Sequence, residues 1–291
     1  MMTRETFANA VSQQLFAPPF RDKAGKSWWD WKGTVATEKT SNSATEQTFG
    51  FTGFGAAQAM TSLNQQVPMV DMEELSTTTW THTTYMLGFQ LPQELIEDDK
   101  YIGFASEGGS ALGESHAYVR DLAVETVFTN SFSGSSYYVF DSASLCAAHT
   151  MKSGDTVTNL GSSLSLNFTN VWTAAKYFLY GMKTQKGLPM KGVPKYLKFH
   201  PSKLDAATLV ALNEMEPDSA DRNMNTLKKH YALHLVPSML QASTAAWCSM
   251  DEEFKNDLIF YNRIAPTVDD GADFSRYGIM YRSRQRFSVK P

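Results

Sequence analysis

One stretch constrains this chain more than any other. Residues Thr77–Phe132 read as a β-strand handed directly to an unusually long helix. The strand, Thr77 to Phe89, is dense in Thr, Trp, Tyr and Met, which fit a pleated surface. Trp80, Thr84 and Met86 fall on one face and Tyr85, Leu87 and Phe89 on the other. Large side chains on both faces predict that both faces meet protein. Gly88 and Pro92 mark its end. Glu94, Glu97, Asp98 and Asp99 then crowd the expected start of the helix, where the macrodipole favours negative charge. Ile102, Ala105, Leu112, Val119, Ala123 and Val127 step by three, four or seven, a helical stripe. Unbroken to Thr129, such a helix would be about 45–50 Å long at about 1.5 Å per residue. Gly108-Gly109 predicts a bend or break, because each Gly costs about 1 kcal/mol relative to Ala in a helix. An element this long is a beam, and a beam encloses little.

The chain as a whole supplies enough apolar residues for a real core, 42% of 291. Its 18 Phe, 12 Tyr, 6 Trp and 14 Met exceed what a core of this size requires, and such residues also furnish protein interfaces. A net charge of −4 without a basic run argues against gripping nucleic acid through its phosphates, though not against enclosing it. Cys146 and Cys248 make no disulfide framework. The first residues show no signal peptide. No run reaches the roughly 18 apolar residues of a membrane span. These features predict a soluble chain made in the cytoplasm, with no membrane partner.

Ahead of the strand, Thr3–Phe16 has the stripe of a short amphipathic helix, which Pro18-Pro19 is expected to stop. The segment SWWDWKG places Trp28, Trp29 and Trp31 within four positions. Two readings stand side by side: a satellite core under a loop, or an arm that lays its aromatics on a neighbouring subunit. In TFGFTGFGAAQAM, Phe49, Phe51 and Phe54 alternate with Gly and Thr, the composition of a long extended loop that reaches outward.

Behind the beam, residues 134–254 read as a separate α/β layer. Its expected elements are strands at Tyr137–Phe140 and Tyr196–Phe199, helices at Phe168–Met182 and Ser202–Asn213, and strands in LHLVPSML and AAWCSM. Glu216 to Thr226 reads as a polar loop. The end of the chain reads as two strands around a turn at Asp269-Asp270-Gly271, forming a hairpin or pairing with the Thr77 strand.

Candidate chemistry is sparse. Cys146 and His149 in CAAH offer a nucleophile and a base, but no third orienting group or oxyanion site accompanies them. Zinc would want three or four ligands. The pair is read as a buried thiol and a hydrogen-bonded histidine. Glu97, Asp98 and Asp99 point in different directions on a helix, and no phosphate loop is present. No catalytic, metal or cofactor residue is therefore assigned. Arg282, Arg284 and Arg286 share one strand face, facing either phosphate or an intersubunit salt-bridge row, and the interface is the favoured reading.

Three stretches carry a resemblance. YMLGFQLPQELIEDDKYIGFASEGGSALGESHAYVRDLAVETVFTNSF resembles the peripheral-domain strand and spine helix of tailed-bacteriophage major capsid proteins, the Hong Kong 97-type shell fold. SGSSYYVFDSASLCAAHT is similar to that family's aspartate-containing turn and following Ser/Ala-His segment. GLPMKGVPKYLKFHPSKLDAATLVALNEMEPDSADRNMNTLKKHYALHLVPSML is similar to its axial-domain core. The likeness spans about residues 30–291 and leans toward the Mu-like head subunits.

The resemblance implies an α+β architecture. Residues 1–45 would be an N-terminal arm and 46–85 an extended loop laid over the adjacent subunit. Residues 86–132 and 257–291 would form the peripheral domain, and 133–256 the axial domain. It implies a structural protein, not an enzyme, that assembles through pentamers and hexamers into an icosahedral shell. Such a shell encloses double-stranded DNA without reading its sequence. It is built in the host cytoplasm, with separate scaffold, portal and decoration proteins as possible partners, and resides in the virion. Candidate intersubunit contacts are Trp28, Trp29, Trp31, Phe49, Phe51, Phe54, Arg282, Arg284 and Arg286. Lys39 lies before the loop and Lys100 after it, so no Lys–Asn cross-link is expected. The alternatives are an encapsulin-like nanocompartment and a hydrolase built on Cys146 and His149.

Overall fold

The computed structural model describes residues 11–62, 66–98, 101–132, 141, 143–161, 164–190, 192–217, 223–273 and 278–290. The expected strand at Tyr137–Phe140 and the start of the first helix lie outside them. A π-helical turn, Ser12–Phe16, leads into α1 (Ala17–Ala24), β1 (Thr37–Thr40), β2 (Thr45–Phe51), β3 (Glu74–Thr81) and β4 (Thr83–Pro92). Next come α2 (Gln93–Glu97), α3 (Tyr101–Thr129), β5 (Ala148–Thr150), β6 (Thr156–Thr158), α4 (Phe168–Tyr180) and β7 (Pro194–Phe199). The chain ends with α5 (Leu204–Leu212), α6 (Thr226–Tyr231), β8 (His234–Pro237), β9 (Trp247–Asp251), α7 (Phe254–Asp257), β10 (Ile259–Asp273) and β11 (Gly278–Lys290). Two compact units emerge, one of residues 1–46, 80–124 and 258–290, the other of 47–79 and 125–257.

The first unit is built on a four-stranded sheet ordered β1-β10-β11-β4. β11 pairs antiparallel with β10 on one side and β4 on the other, Gly278 opposite Pro92 and Phe287 opposite Thr83. Along β11 the period of two buries Ile279, Tyr281, Ser283, Gln285 and Phe287 and turns Met280, Arg282 and Arg284 outward. The buried face meets Val11, Phe16, Phe20, Leu91, Ala105 and Leu112. The Phe16 ring stacks on Tyr281, centroids 4.4 Å apart.

Four expectations fail here, each for a local reason. Pro18 and Pro19 do not stop a helix. They sit in the first turn of α1, where a missing N–H leaves no bond unmade. Asp269-Asp270-Gly271 is not the turn. It lies within β10 opposite Arg282, Tyr281 and Met280, because the ladder must run on until Tyr281 and Ile279 are covered. Of the acidic cluster, Glu94, Glu97 and Asp98 do not open the long helix, and Asp99 lies outside the described residues. Glu94 and Glu97 belong to short α2, and the first turn of α3 carries no acid. Finally, α3 passes through Gly108-Gly109 without a break, 29 residues or about 43 Å of helix.

Those glycines are contact points. A Cβ on Gly109 would stand 2.6 Å from the Phe16 carbonyl oxygen, and one on Gly113 2.5 Å from that of Phe20. A Cβ on Gly108 would meet the Phe89 ring at 2.6 Å. The lost propensity lets the N-terminal segment lie directly on the helix backbone. Gly113→Ala gains about 1 kcal/mol of propensity but overpacks a backbone contact, which costs about 1–3 kcal/mol. We expect a net loss of up to about 2 kcal/mol in urea unfolding. Gly103→Ala, with nothing within 4 Å of its would-be Cβ, is expected to gain up to about 1 kcal/mol. Equal shifts in the two variants would defeat the contact explanation.

His116 of α3 is buried, with Nε2 2.6 Å from Ser283 Oγ and Nδ1 without a partner among the described residues. Burial holds its pKa below the usual 6.5. The unfolded chain therefore binds the proton first. Stability is complete above about pH 6.5 and falls below it, by at most about 1.4 kcal/mol per pH unit for this group. Denaturant midpoints at pH 7.5 and 5.5 should differ less for His116→Gln than for the parent chain.

The second unit holds a three-stranded sheet ordered β8-β7-β9, with β7 parallel to β8 and antiparallel to β9. Leu197 and Phe199 of β7 pack on Phe168, Val171 and Ala175 of α4 and Ala207, Val210 and Ala211 of α5. Between them on the strand, Lys198 is also buried. Its Nζ donates to Glu125 Oε1 at 2.7 Å and to Gln241 Oε1 at 3.0 Å. Ser238 Oγ donates to Glu125 Oε2 at 2.7 Å, so both carboxylate oxygens are satisfied. A helix not foreseen, α6, follows directly on the expected polar loop. Asn225 caps it by accepting from the Lys228 N–H, and its own amide donates to the Val210 carbonyl.

Candidate assembly surfaces

The strongest candidate surface is the extended segment between β2 and β3. These two strands pair with each other alone. The ladder closes where Thr52 N donates to the Glu73 carbonyl and Glu73 N donates to Thr52 Oγ1. The described residues from Gly53 to Met72 have no regular structure. Phe49 and Phe51 lie on the exposed face of β2, and Phe54, Met60, Val67, Met69, Val70 and Met72 follow, all exposed. Phe54 is 60% exposed and Met69 89%. Scattered apolar side chains on a surface mean nothing, but a run of this density marks an interaction site. The Gly/Thr spacing that made the segment read as a loop leaves it too few neighbours to bury its own aromatics.

The tryptophans divide. Trp29 and Trp31 are buried within the first unit, Trp31 completely, so neither is free to meet a neighbour. The reason lies in Asp121 of α3. Its carboxylate accepts from Trp31 Nε1 at 2.6 Å and from the Trp28 backbone N–H, and the Trp31 ring packs on Phe260. Burial raises the Asp121 pKa, and these bonds offset part of that. Trp28 alone keeps an exposed face, 45% of its surface, with its other edge against Tyr118.

The arginine row is as the strand period predicts. Arg282 and Arg284 are exposed and Arg286 half-buried on the outer face of β11. Arg282 reaches Asp269 at 3.5 Å, and Arg286 Nε donates to the His82 carbonyl at 3.3 Å. Two of the three thus have partners inside the chain, and Arg284 has none among the described residues. The same face carries Met86, 67% exposed, directly opposite Arg284, and Met280 beside it. Within the single chain this strand packs on one face and leaves the other open. It is also interrupted at His82, which ends β3 and begins β4.

Cys146 and His149 are placed as structural groups. His149 sits in β5, its Nδ1 3.2 Å from Asp141 and its Nε2 3.3 Å from the Leu145 carbonyl, so both ring nitrogens face oxygen. Burial works to raise the Asp141 pKa, but N–H bonds from Ala143 and Thr150 and the His149 ring hold it below the usual value. The Cys146 thiol is pushed up by burial, away from thiolate. Cys248 is pushed further, to about 12. Neither is poised as a nucleophile.

The sequence reading missed one surface. Leu209 and Leu212 of α5, with Met215 and Met224 beyond it, are exposed while Ala207, Val210 and Ala211 face the core. The signal was present in LDAATLVAL, a helix apolar on every side, which is the pattern of a helix buried on more than one side.

No protein-family model matches the sequence. No curated protein matches it either. Solved structures do. A capsid structure of cyanophage P-SCSP1u aligns with a TM-score of 0.55 at 12% identity, covering 88% of this chain and 84% of that one. A structure from Microbacterium phage Oxtober96 gives 0.51 at 10% identity, over 88% and 83%. The mature capsid of bacteriophage PhiM1 gives 0.50 at 11% identity, over 91% and 83%. The fold of this chain is the phage capsid shell fold of the Hong Kong 97 type.

Proposed function

We propose that this chain is the major capsid protein of a tailed phage, a structural subunit that assembles with its own copies into a closed shell around double-stranded DNA. The observation that carries this reading is the exposed apolar segment from Phe49 to Met72, none of whose exposed apolar residues belongs to either core. A subunit of this kind is stable alone yet leaves its contact surface unpaired. Many modest contacts of that sort sum through multivalency and stay reversible during growth. Phe49, Phe51, Phe54 and Trp28 are the proposed intersubunit contacts, with the exposed face around Arg282, Arg284 and Met86. The weakly negative chain suits a wall that confines DNA without adhering to it.

In finer terms, the copies would group as pentamers and hexamers, with scaffold and portal supplied by other chains. A Mu-like affinity rests on the sequence resemblance. Electron microscopy of the purified protein tests the central statement: closed shells a few hundred Å across are expected. A protein that remains monomeric at every concentration and ionic strength would refute it. Nucleic acid inside particles from infected cells is expected; cargo enzyme in its place would assign a nanocompartment instead.

A further inference from the structure

The segment from residue 47 to residue 79 leaves the first unit at Glu46 and rejoins it at Trp80. Between those two crossings the first unit holds a chain of buried polar groups. His82, the residue that interrupts β3 and β4, is 4% exposed. Its Nε2 lies 3.1 Å from Ser41 Oγ and its Nδ1 3.0 Å from Ser288 Oγ. Ser41 Oγ in turn bonds Glu46, at the start of β2. The chain Glu46–Ser41–His82–Ser288 therefore ties both strands of the extended segment to β11 at the point where they depart.

The proton positions in this chain are fixed by counting. Ser41 has one hydroxyl proton, and the carboxylate of Glu46 can only accept. Ser41 therefore donates to Glu46 and accepts from His82 Nε2–H. Nδ1 then carries the lone pair and accepts from Ser288 Oγ–H. The ring is neutral. A second proton would land on Nδ1, force the Ser288 hydroxyl to turn its hydrogen away, and place a charge on a buried ring. The charged groups around the ring do not welcome that proton. Arg286 Nε bonds the His82 carbonyl and Arg263 Nη1 the Ser41 carbonyl at 3.2 Å, both cations. Glu46 is the acid that faces it, and Tyr261 of β10 lies near Glu46 and stays neutral in this range.

We propose that His82 is the proton-sensitive clasp of the extended segment: neutral, it locks the base of the β2–β3 ladder to the sheet, and protonated, it releases it. Burial, with the two arginines, outweighs Glu46 and the backbone hydrogen bond to Ser43 and holds the His82 pKa below 6.5, so the lock is closed at neutral pH and opens on acidification. The device lets one acid step change the freedom of the segment without unfolding either core. It stands whether or not the chain forms a shell; a shell would give it a use, the repositioning of intersubunit contacts.

Hydrogen exchange on the full-length subunit tests it, with exchange times scaled to the intrinsic rate at each pH. Between pH 7.5 and 5.5, uptake in peptides covering residues 41–51 and 74–84 should rise about tenfold for each pH unit below the usual histidine range. Peptides of β7 and β9 should not change. In His82→Gln the pH response of the first set should vanish. Unchanged uptake in the parent chain, or an equal response in His82→Gln, overturns the proposal. Should His82→Gln fail to fold, Glu46→Gln decides it. Without the one facing acid the closed ring resists its proton still more, so the acid-driven rise in uptake must be at least as large as in the parent chain, and a weaker rise rejects the clasp.

Discussion

Replacing Phe49, Phe51 and Phe54 together by serine is expected to abolish particle formation while leaving the subunit folded. Each ring is already partly covered in the single chain, so full burial at a contact adds about 1 kcal/mol per residue, roughly half the value for a fully buried aromatic. Three rings give about 3 kcal/mol per contact. At about 1.4 kcal/mol per decade, that raises the concentration needed for assembly about a hundredfold. The same substitutions should leave the far-ultraviolet circular dichroism and the urea midpoint within error, because none of the three belongs to either core. Shells forming at the parent concentration would show that the segment is not the contact. A collapsed midpoint would show that the rings serve the fold.

The second large effect lies in the buried pair of Lys198 and Glu125. Lys198→Met is expected to destabilise the protein by about 3–5 kcal/mol, because it leaves Glu125 charged, 1% exposed and short of its cation. The loss comes from the abandoned charge more than from the missing bond. Replacing both, Lys198→Met with Glu125→Leu, should therefore recover most of it and even exceed the parent, since a buried ion pair gains little over well-packed apolar groups. Denaturant unfolding of the two single variants and the double variant gives the coupling directly. Additive losses would contradict this account. The Phe128 ring, 4.6 Å from the Lys198 ammonium, supplies a further favourable contact that the double variant also gives up.

Much of the architecture was legible in the chain. The stripe from Ile102 to Val127 named the long helix, and the end of the chain read as two strands, as β10 and β11 are. The Arg282, Arg284 and Arg286 row fell on the outward face because a period of two admits no other result. Reading the two glycines at 108 and 109 as a weak point used propensity alone. Propensity is worth about 1 kcal/mol, and close packing of the N-terminal segment on the helix outweighs it. The tryptophans were undecided for a similar reason. Nothing in SWWDWKG tells which indole finds Asp121, about ninety residues away, and that single carboxylate settles the fate of Trp31.

What the sequence determined by itself was local: element type, periodicity, and an aromatic segment too rich in Gly and Thr to bury its own rings. What only the tertiary structure decided was which of those aromatics are spoken for. Burial depends on partners distant in sequence. Trp31 is closed off by Asp121 and Phe260, while Phe49 and Phe51 lie on a two-stranded ladder, and Phe54 just beyond it, with too little to pack against.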